Sequence, residues 1–167
     1  MTADALVRQH ADLVFRVARR VTGNDADAAD AAQDALVRVW RKGMSIPEER
    51  QRAWCARVSR NSALDLLRRR SVRPAPVYGE WVEPADASAQ TDQHTESNEI
   101  RSRIELALTQ LDEPYRSIVV LREIEGLAYA EIADTLELPL NTLKVYLHRA
   151  RKQLRDAIRR STPELVP

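Results

Sequence analysis

The chain has 167 residues, of which 31% are charged and 44% hydrophobic, with a formal net charge of +1 and one cysteine. That length suits one ordinary domain or two small ones. A lone cysteine, Cys55, excludes a disulfide framework and a cysteine-based zinc site, and no apolar run reaches signal-peptide or membrane-span character, so a cytoplasmic chain without membrane insertion is expected.

The near-neutral total hides three blocks. Residues 1–70 carry 14 Lys/Arg and 9 Asp/Glu, residues 71–97 carry 1 and 5, and residues 98–167 carry 11 and 11 with the cations gathered towards the end. A basic block, an acidic connector and a half-basic block suit two modules that meet a polyanion.

In chain order, Leu6, His10, Leu13, Val14, Val17 and Val21 predict a first helix over 3–22 with one buried stripe. Its lone histidine reads as a core residue rather than a ligand. Gly23-Asn24 ends the helix and Asp25 is expected to cap the next. The second helix, 26–42, buries Ala32, Ala35, Leu36, Val39 and Trp40. Asp27, Asp30, Asp34, Arg38 and Arg41 line its opposite side, with Gln33 beside them. Acids in the N-terminal half of a helix are favoured by its dipole; three in line also form a docking surface for a basic partner. No further metal ligands accompany them.

Gly43 closes this helix, and a loop over 42–52 leads to a long basic helix ending near Arg70. Trp54, Arg57, Asn61, Asp65 and Arg68 share one stripe of it, while Cys55, Val58, Ser62 and Leu66 face the other way. An aromatic, an amide and arginines in line suit unpaired nucleic acid, by stacking, base-edge contact and phosphate contact. Trp54 as plain core is the competing reading. Residues 71–97, with three prolines and five acids, read as a flexible acidic linker in which Tyr78 and Trp81 are too sparse for a core and His94 is inert.

Helical pattern resumes at Asn98, with Ile100, Ile104, Leu108 and Leu111 as a stripe and Asp112 and Pro114 opening a second helix that ends at Gly126. Leu127 to Arg155 then reads as two helices joined by a tight turn. Tyr129, Ile132, Ala133 and Leu136 form the inner face of the first; Leu143, Leu147, Ala150 and Leu154 form that of the second. The second helix turns Asn141, Thr142, Lys144, Val145, His148, Arg149, Arg151 and Lys152 outward or to its flanks. From Lys144 to Arg160 seven basic residues meet one acid, Asp156. A helix so divided is suited to a DNA major groove. Four helices in about 65 residues make a marginal core on their own.

Together these segments resemble bacterial sigma factors of the extracytoplasmic-function type. TGNDADAADAAQDALVRVW, followed by RAW and RNSALDLLRRR, is similar to the family's region two; LDEPYRSIVVLREIEGLAYAEIADTLELPLNTLKVYLHRAR is similar to region four. The resemblance implies an all-α fold of two small helical domains, 1–70 and 98–161, joined by the linker 71–97 and followed by a tail at 162–167. It implies a promoter-specificity subunit that is not itself an enzyme and needs no cofactor. Its partners would be bacterial core RNA polymerase, promoter DNA and an anti-sigma protein, with a monomer when free. Asp27, Asp30, Gln33, Asp34 and Arg38 match the segment that docks on the polymerase clamp helices. Trp54, Arg57, Asn61, Asp65, Arg68 and Arg69 match the surface facing the −10 element, where Asn61 and the 42–52 loop capture a flipped base. The helix carrying Asn141, Thr142, Lys144, Val145, His148, Arg149, Arg151 and Lys152 matches the −35 reader. The linker matches the segment threading the RNA exit path.

Several residues depart from the family pattern. Gln51 stands where an aromatic is common, Ala128 where Ser or Thr caps the helix, Glu137 where glycine makes the turn, and Asn141 where glycine opens the reader helix. Val145, turned to DNA, offers a thymine-methyl contact, so a non-standard −35 sequence is expected. Two other classes compete: a dimeric helix-turn-helix regulator, which leaves the basic first module unexplained, and a charged scaffold that binds only proteins. A hydrolase lacks support, with no phosphate-binding glycine loop and three scattered histidines.

Overall fold

A computed structural model describes residues 1–72 and 95–161; the expectations for the connector, including Tyr78, Trp81 and His94, and for the tail lie outside these residues. The described residues are all-helical: α1 Ala3–Thr22, α2 Asp25–Lys42, α3 Glu48–Val72, α4 Thr95–Thr109, α5 Tyr115–Val119, α6 Tyr129–Leu136 and α7 Leu140–Ser161. A 3₁₀ turn, Gly43–Ser45, precedes α3, and α5 runs on into a π-helical turn, Val120–Ile124.

The first three helices pack on one another. The α1 stripe is buried as its spacing predicts, and α2 meets it with alanines, Ala28, Ala31, Ala32 and Ala35, which let two helix backbones approach closely. Thr2 caps α1, accepting from the Ala5 N–H at 3.2 Å, and Gly23 ends it at φ 86°. Asn24, not Asp25, caps α2: its Oδ1 accepts from the Asp27 N–H at 2.9 Å. Gly43 is right-handed, so its role is spatial, because a Cβ there would collide with the fully buried Leu6 side chain.

Three other expectations are corrected. Trp40 is 54% exposed and lies across the outer edge of α1, where its indole N–H donates to Asp4 Oδ1 at 2.9 Å. The helix α3 begins at Glu48, four residues before the end of the expected loop, with Glu48 and Glu49 in the first turn where the dipole favours acids. Only the C-terminal half of the stripe expected from Ile100 to Leu111 is buried: Leu108 in α4 and Leu111 just past its end are enclosed, whereas Ile100 is 51% exposed and Ile104 is exposed too.

The second unit builds its own small core from Ala107, Leu108, Leu111, Val119, Val120, Ala150 and Ala157. Ile118, Leu121, Leu127, Ile132, Leu143 and Leu147 instead join the cluster of the first three helices, so one hydrophobic core runs through both. At the start of α5, Pro114 takes the cap position; the Asp112 side chain makes no cap bond, and Glu113 Oε2 accepts from the Ser117 hydroxyl. Ala128 offers no side-chain acceptor to α6, and only the other half of the box survives, the Ala128 N–H donating to Glu131 Oε2 at 2.9 Å. Glu137 closes α6 at φ 55°, ψ 43°, with the Leu138 N–H donating to the Ala133 carbonyl.

Candidate nucleic-acid and partner-docking interfaces

The α7 helix is set by its inner face. Leu143, Leu147 and Ala150 are buried, and Tyr146 packs on Tyr115 with ring centroids 5.5 Å apart. This leaves Asn141, Lys144, Val145, His148, Arg149, Arg151 and Lys152 exposed along the opposite side, with Thr142 half-buried at the edge. Val145 is 50% exposed, an apolar contact point among cations. Lys144, Arg149 and Lys152 make no ion pair among the described residues, so their charges stand free for phosphate. Arg151 differs: its Nε donates to Glu123 Oε1 at 2.6 Å, which holds the guanidinium charged and pinned to the π-helical turn.

On α3, Trp54, Arg57, Asn61 and Asp65 are half-buried and Arg68 and Arg69 exposed. Trp54, Arg57, Val58 and Asn61 form one wall of a groove of about 520 Å³ whose other wall is Arg38, Arg41 and Lys42 of α2. An indole, an amide and four cations converge there. The sequence grouped Arg38 and Arg41 with the acidic face and Lys42 with the 42–52 loop; the approach of α2 to α3 brings all three to this groove. The turn before α3 is fastened by Gln51, buried, whose Nε2 donates to the Ile46 carbonyl at 3.1 Å. That amide, at the position where the family pattern commonly has an aromatic, points inward. Cys55 is fully buried and burial pushes its thiol pKa up to about 11, so it is an inert core residue.

On α2, Asp30, Gln33 and Asp34 are exposed together. Asp27 is not with them. It is 3% exposed, holds the helix start through Asn24, and meets Arg70 of α3 at 2.5 Å. Asp34 has Arg69 at 3.7 Å. Beside the acids a shallow apolar groove runs between α1 and α2, with Phe15, Val37 and Trp40 at its surface.

The two units meet through charges that periodicity could not reveal. Glu125 is 6% exposed and its carboxylate is gripped by Arg16 of α1, Nε to Oε1 at 3.1 Å and Nη2 to Oε2 at 3.0 Å. Arg52 of α3 donates to the Glu125 carbonyl at 2.6 Å and stands 3.5 Å from its carboxylate. Arg116 donates to the Val21 carbonyl of α1, to the Leu108 and Thr109 carbonyls at the end of α4 and to the Leu111 carbonyl just beyond it. Arg60 donates to Ser117 Oγ at 2.8 Å. Arg57 lies 3.6 Å from Asp134 of α6 and 3.3 Å from Glu137, the residue that closes it. No helix among the described residues is long and apolar enough to cross a membrane.

Comparison with known proteins follows the same division. Residues 6–73 match the family model for sigma-70 region 2, and residues 101–154 that for sigma-70 region 4. The chain is 35% identical over 162 residues to the ECF RNA polymerase sigma factor SigE of Mycolicibacterium smegmatis, covering 96% of this chain and 63% of that relative. It is 33% identical over 153 residues to the ECF RNA polymerase sigma factor SigL of Mycobacterium tuberculosis, covering 90% of this chain and 85% of the relative. CnrH, solved in complex with the cytosolic domain of CnrY, superposes with a TM-score of 0.65 at 25% identity, covering 92% of this chain and 85% of that one. The sigma factor RpoE of Bartonella quintana, solved with the anti-sigma factor NepR, shares the fold with a TM-score of 0.68 at 18% identity, covering 92% and 94%.

Proposed function

Because this chain belongs to the sigma-70 family, among its ECF RNA polymerase sigma factors, we propose that it binds core RNA polymerase and directs initiation at a restricted set of promoters. It acts in the cytoplasm and is not an enzyme; bond formation belongs to the polymerase. Residues 1–70 carry polymerase docking and −10 recognition, and residues 98–161 carry −35 recognition. The observation that carries this reading is the pairing of two different cationic surfaces in one chain. One is a convex helix face, Lys144, Val145, Arg149 and Lys152, shaped for a duplex groove. The other is a concave groove with Trp54 and Asn61, shaped for an unstacked base. A dimeric repressor has use for the first but not the second.

In this reading Asp30, Gln33, Asp34 and Arg38 contact the polymerase, while Asp27, buried, braces the start of α2 rather than touching a partner. CnrH, at 25% identity, was solved with the cytosolic domain of CnrY, which supports control of this chain by an anti-sigma protein. Size exclusion with core polymerase, followed by transcription from a genomic promoter library, tests the proposal. Co-elution and a restricted promoter set are expected, and Asp30→Ala with Asp34→Ala weakens co-elution. A dimer that binds free duplex tightly and ignores core polymerase would overturn it. Arg149→Ala lowers the slope of −35 affinity against salt by about 1.

A further inference from the structure

An acid stands against the cationic side of α7, and it comes from outside that helix. Glu123 lies in the π-helical turn, and its Oε1 accepts from Arg151 Nε at 2.6 Å. The two side chains are 40% and 46% exposed, so the pair is no part of the core. An exposed pair of this kind adds little to stability, and its effect falls on Arg151 rather than on the fold. Lys144, His148 and Arg151 follow one another at i, i+4 and i+7, so they line one edge of α7, and all three are exposed. The turn that carries Glu123 is itself braced. Arg122 lies over the Tyr129 ring, 4.5 Å from its centroid, and its Nη1 donates to the Leu127 carbonyl at 2.8 Å. A carboxylate on a braced turn fixes the group it holds.

We propose that Glu123 is a positioning residue for −35 recognition: it holds Arg151 by Nε, leaves both Nη groups for one phosphate of the duplex, and so turns a long side chain into a fixed clamp at the edge of α7. The proposal rests on the reading of α7 as the −35 helix. A guanidinium suits this division, because its donors lie in a rigid planar fork that can serve one oxyanion at Nε and a second at the Nη groups. A lysine, a point charge on a flexible stem, has no such fork. No other carboxylate lies within ion-pair distance of Arg151 among the described residues, so the Nη groups stay open to a phosphate. Lys144, Arg149 and Lys152 are exposed cations without an ion pair among the described residues, and each gives up rotamer freedom on binding DNA. Arg151 has given up much of that freedom beforehand. The acid also repels any phosphate near it. Charge alone therefore predicts tighter DNA binding when Glu123 is removed, and the clamp predicts weaker binding.

The test uses holoenzyme assembled with the full chain and two duplexes, a promoter it transcribes and the same duplex with its −35 element scrambled. Affinity is measured across a range of salt. Glu123→Ala binds about fivefold more weakly than the parent, the worth of ordering one long side chain. The factor is the same on both duplexes, because a phosphate contact carries no sequence. Glu123→Gln keeps an acceptor for Nε and sheds the charge, so it binds at least as tightly as the parent. Arg151→Ala lowers the salt slope by about 1, and adding Glu123→Ala to it weakens binding no further. Equal tightening by Glu123→Ala and Glu123→Gln would overturn the clamp and leave Glu123 a plain repulsive charge. A loss in Glu123→Ala that persists beside Arg151→Ala would overturn it too, since that loss would be structural. Weakening by Arg149→Ala with none by Glu123→Ala sinks the clamp alone. Unchanged affinity in both Arg149→Ala and Arg151→Ala sinks the −35 reading of α7, and the clamp with it.

Discussion

The first three helices and the last four solve the same problem, burying a core in under 75 residues, with different means. Helices α1, α2 and α3 are 18 to 25 residues long and enclose their own leucines, valines and alanines. In the second unit α5 and α6 have five and eight residues, too short to hold themselves by local bonds. Six of the unit's large aliphatics lie in the cluster of the first. The first half is thus a platform and the second is in part a guest on it. In a small domain a hydrophobic face that cannot be covered internally has to be covered by a neighbour.

That comparison is broken or upheld by two matched core truncations, Leu6→Ala in α1 and Leu121→Ala in the π-helical turn, both fully buried. Each should cost about 3 kcal/mol in urea unfolding. The effects should spread unequally. Loss of Leu6 undermines the platform and lowers hydrogen-exchange protection in both halves. Loss of Leu121 should lower protection of α5 and α6 while α1 keeps its own. Equal loss in α1 from the two variants would mean a single cooperative unit and no platform.

Glu137→Gly sharpens it with a smaller effect of two signs. A left-handed glutamate at φ 55° is strained by about 1 kcal/mol relative to glycine, so the second half gains that much in thermal unfolding followed at Tyr115 and Tyr146. Removing the side chain also frees Arg57 from one of its two acids. Protection at α6 should rise against global unfolding while cross-linking between α3 and α6 falls. A fall in both would show that the junction outweighs the turn.

How much of this was legible depends on how far along the chain the deciding contact reaches. The α1 boundaries and its six buried positions follow from a period within one helix, and are observed as read. The outward set on α7 and the inward Tyr146 follow from the same local rule. Asp27 fails because its acidity and place in an aspartate row point to a surface, whereas Asn24 and Arg70 enclose it. Ile100 and Ile104 fail because a stripe shows which side of a helix is apolar, not whether anything covers it. The junction was invisible for a firmer reason. Arg16 and Glu125 are 109 positions apart, and a glutamate before a glycine carries no mark of burial. The arrangement of the two halves, and with it the partial cover on Trp54 and Arg57, is a property of long-range pairing that no window along the sequence contains.

The smallest expected effect lies at His10, and it separates the platform from the junction by pH. His10 is buried, and its pKa is lowered from 6.5, first by burial and then by the neighbouring Arg52. In the unfolded chain the imidazole takes up its proton near pH 6.5; in the folded chain it takes it up at lower pH. Between those two values the unfolded state binds more protons, so stability falls as pH falls through that window and is fully present above 6.5. A proton on His10 also sets a second cation beside Arg52 and so weakens its hold on Glu125. Urea titrations of the parent and of His10→Gln at pH 7.5 and pH 5.5 should therefore diverge, the parent losing more on acidification. Scattering at the same two pH values then tells where the loss falls. An enlarged parent at pH 5.5 beside an unchanged His10→Gln chain places it at the Arg52–Glu125 junction, and a constant size in both confines it to the α1 core.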